Sequence, residues 1–194
     1  MDSISEKRRI RDNARHLRMA LPDRAARSRK IAATLDGLPE FADAATIMLY
    51  VDIGSEVQTR RLIDELIANG RRVVVPYCVG SKLRLFVLEG IDELTPGIFG
   101  IPEPLNHLRG LAHKSIDPRE IDVVLLPGVA FDRQGGRIGQ GKGYYDRFLR
   151  SLDPRTPLIG LAFECQVFPA VPVEQHDMRV TMVVTEENIY RRAL

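Results

Sequence analysis

The chain has 194 residues, 44% of them apolar and 28% charged, which suits a globular domain with a sizeable core. No apolar run approaches the roughly 20 residues of a membrane span, and the first 22 residues lack the apolar region of a secretory signal, so we expect neither a membrane protein nor an exported one. Cys78 and Cys165 lie in apolar surroundings without metal-ligand spacing, and we expect buried, reduced thiols in a cytoplasmic protein.

The net charge of +2 is unevenly distributed, because residues 1–30 carry a net charge of +6 and the rest of the chain −4. A basic first segment on a nearly neutral body indicates an anionic partner, and both a nucleic acid and a nucleotide phosphate fit. The alternative is a basic helix face that meets only solvent.

The first predicted element is a helix over residues 5–20 with one apolar stripe. The stripe consists of Ile10, Ala14, Leu17 and Leu21. Lys7, Arg11 and Arg18 share a narrow sector at the edge of this stripe, where side chains can point into a cleft. Two further arginines of the helix point elsewhere and are expected to be solvated, namely Arg8 and Arg15.

Helices and strands then alternate along the chain. The predictions are a helix from Pro22 and Asp23 to Gly37, strands over 46–51 and 72–77 with an amphipathic helix over 59–70 between them, a more exposed strand over 82–88, a loop-rich region over 90–120 with GIFGIPEPLN at its centre, a buried strand over 121–127, a helix over 144–152, and strands over 157–163 and 180–185. Strand–helix–strand units of this length imply parallel pairing and right-handed crossovers.

This order of elements predicts an α/β fold. We expect a single three-layer αβα domain over residues 1–194 with a mostly parallel, Rossmann-like central sheet, on which an N-terminal helical segment of about residues 5–37 packs. Ligands of such sheets bind beyond the carboxyl ends of the strands. We therefore expect one cleft where four segments converge, those that follow Val51, Tyr77, Leu126 and Phe163.

A glycine-rich stretch, PGVAFDRQGGRIGQGKGYYDRFL, occupies residues 127–149. It places Gly136, Gly141 and Lys142 at the spacing of a Walker A phosphate loop. Gly143, however, stands where that motif has the serine or threonine whose hydroxyl holds Mg²⁺. The dinucleotide pattern GxGxxG also fails, and the connection to the next helix is too long for the tight dinucleotide turn. No standard phosphate-loop pattern fits.

The stretch nevertheless has the chemistry of an anion site. Glycines at alternate positions permit positive φ and close backbone approach, and successive backbone N–H groups can form an anion-binding concavity. Arg137 and Lys142 add positive charge, while Asp146 is either a helix-capping carboxylate or a hard ligand for Mg²⁺. A mobile glycine loop without a ligand is the alternative.

Residues 128–147 closely resemble the signature G-x-x-F-D-x-x-G-x-R-x-G-x-G-x-G-Y-Y-D-R of the 5-formyltetrahydrofolate cyclo-ligases, also called methenyltetrahydrofolate synthetases, and meet each fixed position. Other stretches resemble that family along most of the chain, namely KRRIR, GSEVQT, RRVVVPY, GIPEP and VPVEQHDMRVTMVVTEE. One departure is Thr181, where many members carry an aspartate. A hydroxyl replaces neither the charge nor the metal affinity of a carboxylate, so the resemblance implies lower activity if that aspartate supplies either.

The resemblance implies an ATP site that includes the N-terminal Lys-x-x-x-Arg of the family. Catalytic roles carry over to Lys7, Arg11, Arg137 and Lys142. The implied ATP-binding residues are Lys7, Arg8, Arg11, Arg137, Ile138, Gly139, Gln140, Gly141, Lys142, Gly143, Tyr144 and Tyr145.

The resemblance also implies a folate site and a Mg²⁺ site. The folate-binding residues would be Val51, Glu56, Gln140, Gly141, Lys142, Gly143 and Tyr144, and the metal ligands Asp146 and Asp177. Each has a structural alternative: Glu56 at a helix start, Asp146 as a helix cap, Asp177 in a turn, and the tyrosines in the core.

The implied protein is an enzyme, a ligase of one-carbon metabolism. It would use ATP and Mg²⁺ to cyclise 5-formyltetrahydrofolate, with or without a polyglutamate tail, to 5,10-methenyltetrahydrofolate, with phosphorylation of the formyl oxygen and release of ADP and phosphate. It would be a cytoplasmic monomer without nucleic-acid or membrane partners. The alternatives are a catalytically diverged regulatory relative, an RNA-binding protein that uses the basic N-terminus, and a sugar-phosphate isomerase or acyltransferase, which leaves the ATP-type residues unused.

Overall fold

The computed structural model describes residues 3–97 and 100–193. Within them the α-helices are α1 (Ser3–Ala20), α2 (Arg24–Asp36), α3 (Pro39–Ala42), α4 (Arg60–Ala68) and α5 (Tyr144–Leu149). The strands are β1 (Thr46–Leu49), β2 (Arg72–Val79), β3 (Lys82–Leu88), β4 (Leu94–Pro96), β5 (Pro102–Pro104), β6 (Val123–Leu126), β7 (Ala130–Asp132), β8 (Arg137–Ile138), β9 (Leu158–Leu161), β10 (Val167–Phe168), β11 (Met182–Val184) and β12 (Ile189–Arg191). Short 3-10 turns lie at Ile91–Glu93, Asn106–Leu108, Ala112–Lys114, Pro118–Glu120 and Glu164–Gln166.

A seven-stranded sheet forms the centre of the fold, in the order β12-β11-β9-β6-β1-β2-β3. The five inner strands run parallel, whereas β3 and β12 pair antiparallel at the two edges. Strands β1, β6 and β9 are buried along their whole length, as expected for parallel strands covered on both faces. The predicted α/β fold with a mostly parallel central sheet is confirmed.

Apolar side chains cover both faces of this sheet. On one face, Ile31 of α2 and Ile63 of α4 pack against the strands in a large buried cluster. On the other face, Phe148 of α5 packs in a second cluster together with Phe131 of β7. This second layer holds the glycine-rich stretch against the sheet.

The start of the glycine-rich stretch forms a small sheet, β10-β7-β8, which the sequence did not predict. The turn between β7 and β8 is held by Asp132, whose Oδ1 accepts the N–H groups of Gln134 at 2.9 Å and Gly136 at 2.7 Å. Its Oδ2 accepts the N–H of Val171 at 3.1 Å. Strands of two and three residues are too short to show a hydrophobic period, so only the turn between β7 and β8 can be recognised from the sequence.

Helix α1 packs on this small sheet rather than on the central one. Its Ile10 and Ala14 are buried in a third apolar cluster with Val129, Ala130 and Ile138. Since the basic side chains of α1 lie beside this apolar row, they are brought next to the glycine-rich stretch.

The buried face of α1 differs from the prediction at two adjacent positions. Leu17, predicted to be part of the apolar stripe, is 39% exposed, whereas Arg18 is only 7% exposed. Positions 10, 14 and 18 are four residues apart and form one row of the helix. Arg18 can occupy that row because its Nε donates a hydrogen bond to Ser55 Oγ at 3.0 Å.

Smaller differences concern element ends and the cysteines. Helix α5 ends at Leu149 rather than Leu152. Cys78 and Cys165 are free thiols but only half-buried, because they lie at or beyond strand ends where the cover of the sheet is incomplete. The loop-rich region contains the β4–β5 hairpin, and residues 98–99 of the GIFGIPEPLN segment lie outside the described residues. No helix in the described ranges has the length and apolarity to cross a membrane.

Gly160→Ala is expected to lower the free energy of unfolding by about 1–3 kcal/mol, because an added methyl group in a filled core displaces its neighbours. A Cβ at this position of β9 would lie 2.5 Å from Cε1 of Phe131, whose ring is fully buried. Gly37→Ala is the matched control, since its Cβ would meet nothing closer than 3.6 Å, and it should change stability by no more than about 0.5 kcal/mol. Equal urea midpoints for the two variants would contradict this packing.

Candidate active site

The second half of the glycine-rich stretch, residues 139–143, is an open loop that ends at α5. Gly141 has a φ of 91° and Gly143 a φ of 64°, in the left-handed region that other residues rarely adopt. Gly141, Lys142 and Gly143 line a cavity together with Asp146, Arg147, Arg150 and His176. The loop therefore faces a space with a strong excess of positive charge.

Two arginines of α1 hold this loop. Arg11 Nε donates a hydrogen bond to the carbonyl of Gly139 at 2.9 Å, and Arg15 Nη2 donates one to Gln140 Oε1 at 2.6 Å. Arg11 thus lies against the glycine-rich loop. Arg15 is solvated as predicted, with a side chain that is 42% exposed, but it does not point away from the site, because α1 crosses the loop closely enough for Arg15 to reach it.

The remaining predicted ATP contacts differ in exposure. Arg8 is exposed, and Lys142 is exposed with its charge close to Cys78. Ile138 is 2% exposed and packs in the apolar cluster beneath α1, so a ligand can contact it only through its backbone. Gly139 is half-buried at the edge of the cavity.

Arg137 is a buried cation at the base of the loop, with a side chain that is 3% exposed. Its Nη2 donates a hydrogen bond to Asp146 Oδ1 at 2.8 Å, and its guanidinium lies 5.7 Å from the centre of the Tyr145 ring. Among the described residues no acceptor bonds its Nε, although that atom is buried. An unpaired buried donor is costly, so this nitrogen marks a place where a ligand acceptor would be stabilising.

Lys7 is the third cation of the site. Its Nζ donates hydrogen bonds to Asp177 Oδ2 at 2.6 Å and to Glu174 Oε1 at 3.1 Å. Burial alone would lower the pKa of Lys7, but these two carboxylates outweigh it and the net shift is upward. Burial likewise opposes ionisation of Asp177, yet the hydrogen bond from Lys7 holds the pKa of Asp177 below its usual range. Both groups are therefore charged at neutral pH.

The two predicted metal ligands, Asp146 and Asp177, lie on adjoining segments. Asp146 Oδ1 accepts the N–H of Met178, the neighbour of Asp177, at 3.1 Å. Each carboxylate is already paired with a cation, and the described part of the chain contains no group of three or more potential metal-ligating side chains. Magnesium commonly takes only one or two carboxylates and completes its shell with phosphate oxygens and water, so this donor set fits an ion that arrives with a nucleotide.

Glu56 lies in the turn after β1, on the other side of the site. Its Oε2 accepts the N–H of Ile53 at 3.2 Å. The neighbouring Tyr50 donates a hydrogen bond from its hydroxyl to the carbonyl of Val57 at 2.9 Å, which fixes the loop on which Glu56 stands. Burial raises the pKa of the Glu56 carboxyl, and Val51, the other residue predicted here, is buried.

Tyr145 links the glycine-rich stretch to the turn that carries Glu56. Burial raises the pKa of its hydroxyl, the nearby charge of Glu56 raises it further, and that of Arg137 lowers it. The hydroxyl of Tyr144 donates to the carbonyl of Gly80, just beyond β2, at 3.0 Å. The two tyrosines thus bring the start of α5 close to the segments that follow β1 and β2.

Thr181 takes part in strand pairing. Its hydroxyl donates to the carbonyl of Leu158 at 2.8 Å and accepts the N–H of Leu158 at 3.0 Å. An aspartate could accept here but not donate. The hydroxyl therefore has a structural role at the start of β9, and nothing in its contacts ties it to the cations of the cleft.

Comparison with known proteins agrees with this geometry. The model of the 5-formyltetrahydrofolate cyclo-ligase family matches residues 3–186. The 5-formyltetrahydrofolate cyclo-ligase of Escherichia coli K12 is 32% identical over 157 residues, which cover 78% of this chain and 84% of the relative. That of Mus musculus is 29% identical over 160 residues, 77% of either chain.

Two solved structures share the fold. The 5,10-methenyltetrahydrofolate synthetase of Aquifex aeolicus superposes with a TM-score of 0.81 at 33% identity, over 97% of this chain and 95% of the other. The 5,10-methenyltetrahydrofolate synthetase of Mycoplasma pneumoniae superposes with a TM-score of 0.71 at 25% identity, over 96% and 99% of the two chains.

The fold and the similar proteins assign the chain to a class of α/β ligases whose named members act on a formylated folate. The chain belongs to the 5-formyltetrahydrofolate cyclo-ligase family. The resemblance seen over residues 128–147 is thereby confirmed, as is the prediction of a ligase. The roles of individual residues remain predictions.

Proposed function

We propose that the chain converts 5-formyltetrahydrofolate to 5,10-methenyltetrahydrofolate in a reaction that requires ATP and Mg²⁺ and releases ADP and phosphate, as the family resemblance implies. The observation that carries the proposal is the set of groups around the glycine loop. Arg11 bonds the loop and the buried Arg137 lies at its base. Tyr145, on the helix that follows, is close to both Arg137 and the half-buried carboxylate of Glu56, one oxygen of which accepts no hydrogen bond from the described residues. This arrangement suits a triphosphate next to a heterocycle rich in N–H donors.

The reaction needs activation of a formamide, which is a poor electrophile with a poor leaving group. The formyl oxygen attacks the γ-phosphorus of ATP, the bond to the bridging oxygen breaks, and ADP leaves. The product is an imino-phosphate on the folate N5. N10 then attacks the formyl carbon, loses its proton, and phosphate departs with the C–O bond. No protein nucleophile is required, so catalysis rests on positioning and charge stabilisation.

The cations of α1 and β8 provide that stabilisation. Arg11 bonds the glycine loop, Lys7 lies beside Asp177, and Arg137 at the base of the loop has an unused N–H donor. Lys142 contributes its charge from within the loop. Together with the loop amides, they would hold the phosphates and stabilise the charge that develops on the transferred group.

Asp146 and Asp177 are the residues that would hold Mg²⁺, together with the phosphates of the nucleotide. The ion supplies charge neutralisation on the phosphate oxygens when it is bound. Arg137 and Lys7 hold the two carboxylates in place through hydrogen bonds. The phosphates of a nucleotide would offer these cations other partners, which would leave carboxylate oxygens available to the ion.

Glu56 would bind the pterin. Its free carboxylate oxygen can accept hydrogen bonds from ring N–H and amino groups, and Tyr145 offers a flat surface beside it. A cytoplasmic location and a monomeric state belong to the same proposal as predictions.

The direct test is spectroscopic turnover. Purified protein with 5-formyltetrahydrofolate, ATP and Mg²⁺ should develop the absorbance of the methenyl product, and each component should be required. A protein that binds ATP and folate without turnover is instead the diverged relative, and salt-sensitive RNA binding without turnover favours the RNA-binding alternative.

Asp146→Asn is expected to reduce turnover on the order of 10²-fold or more, as when a preorganised charge-stabilising group is removed. It should also raise the Mg²⁺ concentration needed for half-maximal rate. Because Asp146 neutralises buried Arg137, a loss of stability is expected as well, and thermal melts must accompany the magnesium titration. Near-wild-type turnover at low magnesium would exclude Asp146 as a metal ligand.

Lys7→Ala and Glu56→Gln should affect different substrates, because the proposal assigns Lys7 to the phosphates of ATP and Glu56 to the pterin. Lys7→Ala should raise the KM for ATP and leave that for folate nearly unchanged, and Glu56→Gln should do the reverse. Each variant serves as the control for the other. If Glu56→Gln raises the ATP KM alone, the assignment of the two sides is reversed.

A further inference from the structure

We propose that Arg18 is a positioning residue for folate binding, which acts by holding Glu56 and the turn around it in a charged, fixed arrangement. The inference rests on the proposed function, since it assumes that Glu56 binds folate. Arg18 is not part of the family signature, and the family resemblance assigns it no role.

Arg18 occupies a buried position that is unfavourable for a charged side chain. It is 7% exposed in the row of α1 that otherwise holds Ile10 and Ala14. Arginines are almost never buried unless they are paired. Burial lowers the pKa of Arg18, because the charged guanidinium loses solvation at this position. An apolar side chain could fill this row without the cost of burying a charge. The charge of Arg18 therefore indicates a role outside α1.

The contact that Arg18 makes leads directly to Glu56. Its Nε donates a hydrogen bond to Ser55 Oγ at 3.0 Å, and Ser55 is the residue before Glu56. The charges of Arg18 and Glu56 also act on each other, because each shifts the pKa of the other towards the charged form. Arg18 therefore stabilises the charge of the carboxylate without forming a hydrogen bond to its oxygens.

The turn that carries Glu56 is otherwise well ordered. Thr59 Oγ1 donates to the carbonyl of Tyr50 at 2.7 Å, and Thr59 N–H donates to Asp52 Oδ1 at 2.9 Å. One oxygen of Glu56 accepts the N–H of Ile53, and no described residue bonds the other. A half-buried carboxylate with one free oxygen in a rigid turn is a preorganised acceptor.

Charges from several elements act on Glu56. Burial raises its pKa, and the nearby charge of Asp52 raises it further. The hydrogen bond from Ile53 and the charge of Arg18 on α1 lower it. The hydroxyls of Tyr50, just after β1, and Tyr145 on α5 also lie close, and both stay protonated because burial raises their pKa values. Among these groups, Arg18 is the cation that favours the charged form of Glu56.

Removal of the Arg18 charge should therefore let Glu56 take up a proton at higher pH. A protonated carboxyl loses the charge that favours N–H donors of the substrate. Since Glu56 is on the folate side of the cleft, the loss should fall on folate binding and not on ATP.

The test compares Arg18→Gln with Arg18→Lys in the turnover assay. Arg18→Gln keeps a donor for Ser55 but removes the charge, and the folate KM should rise about tenfold at neutral pH while the ATP KM stays within about twofold. Arg18→Lys keeps the charge and should restore most of the affinity. As pH falls, the rise of the folate KM should begin at higher pH in Arg18→Gln than in wild type, and Glu56→Gln should show no such step.

A double variant separates this role from a merely structural one. If Arg18 acts through Glu56, Arg18→Gln should add less than about twofold to the folate KM in the Glu56→Gln background, because the group it supports is already uncharged. Ser55→Ala releases Arg18 from the turn without loss of charge and should raise the folate KM a few fold. It provides the test if Arg18→Gln does not fold.

Different outcomes separate this inference from the proposed function. Absence of turnover in the wild type overturns both. Wild-type turnover with equal folate KM values for Arg18→Gln and Arg18→Lys overturns only the role of Arg18. An equal effect of Arg18→Gln with and without Glu56→Gln, or an equal rise of both KM values, also overturns it.

Discussion

The buried ion pair between Arg137 and Asp146 is the interaction on which the cleft depends. It joins β8 to α5, and through the N–H of Met178 it also holds the segment before β11. A buried guanidinium without a carboxylate would cost several kcal/mol, so these three parts of the chain must meet for any of them to be stable. Because the glycine loop connects β8 to α5, the Arg137–Asp146 ion pair also fixes both ends of the loop.

The charges of the cleft follow a simple division. Cations from α1 and β8 are balanced by carboxylates from α5 and the segment before β11. Glu56 is a further acidic group, and its charge acts on Tyr145 together with that of Arg137. Because Lys7 and Arg137 are each paired with a carboxylate, both can be buried at lower cost than an unpaired cation.

The sequence predicted those parts of the fold that repeat a pattern over many residues. The long apolar strands and the helix at 60–68 follow from periodicity, and the glycine stretch follows from composition. The sheet of β7, β8 and β10 was missed because its strands are too short to show a period. Arg18 was expected at the edge of the apolar stripe and instead lies in the buried row, because its partner Ser55 is 37 residues away and only the fold brings them together. For the same reason, the sequence could name Arg137 and Asp146 but not pair them.

The docking of α1 has a consequence for the order in which the protein becomes functional during synthesis. Lys7 lies on α1, yet its partner Asp177 is synthesised 170 residues later. The central sheet likewise receives β11, one of its inner strands, long after β1. The nascent chain can therefore form α1 early, but Lys7 cannot meet its partner until the segment around Asp177 has been synthesised. Prematurely terminated chains would carry a basic amphipathic helix without its docking surface.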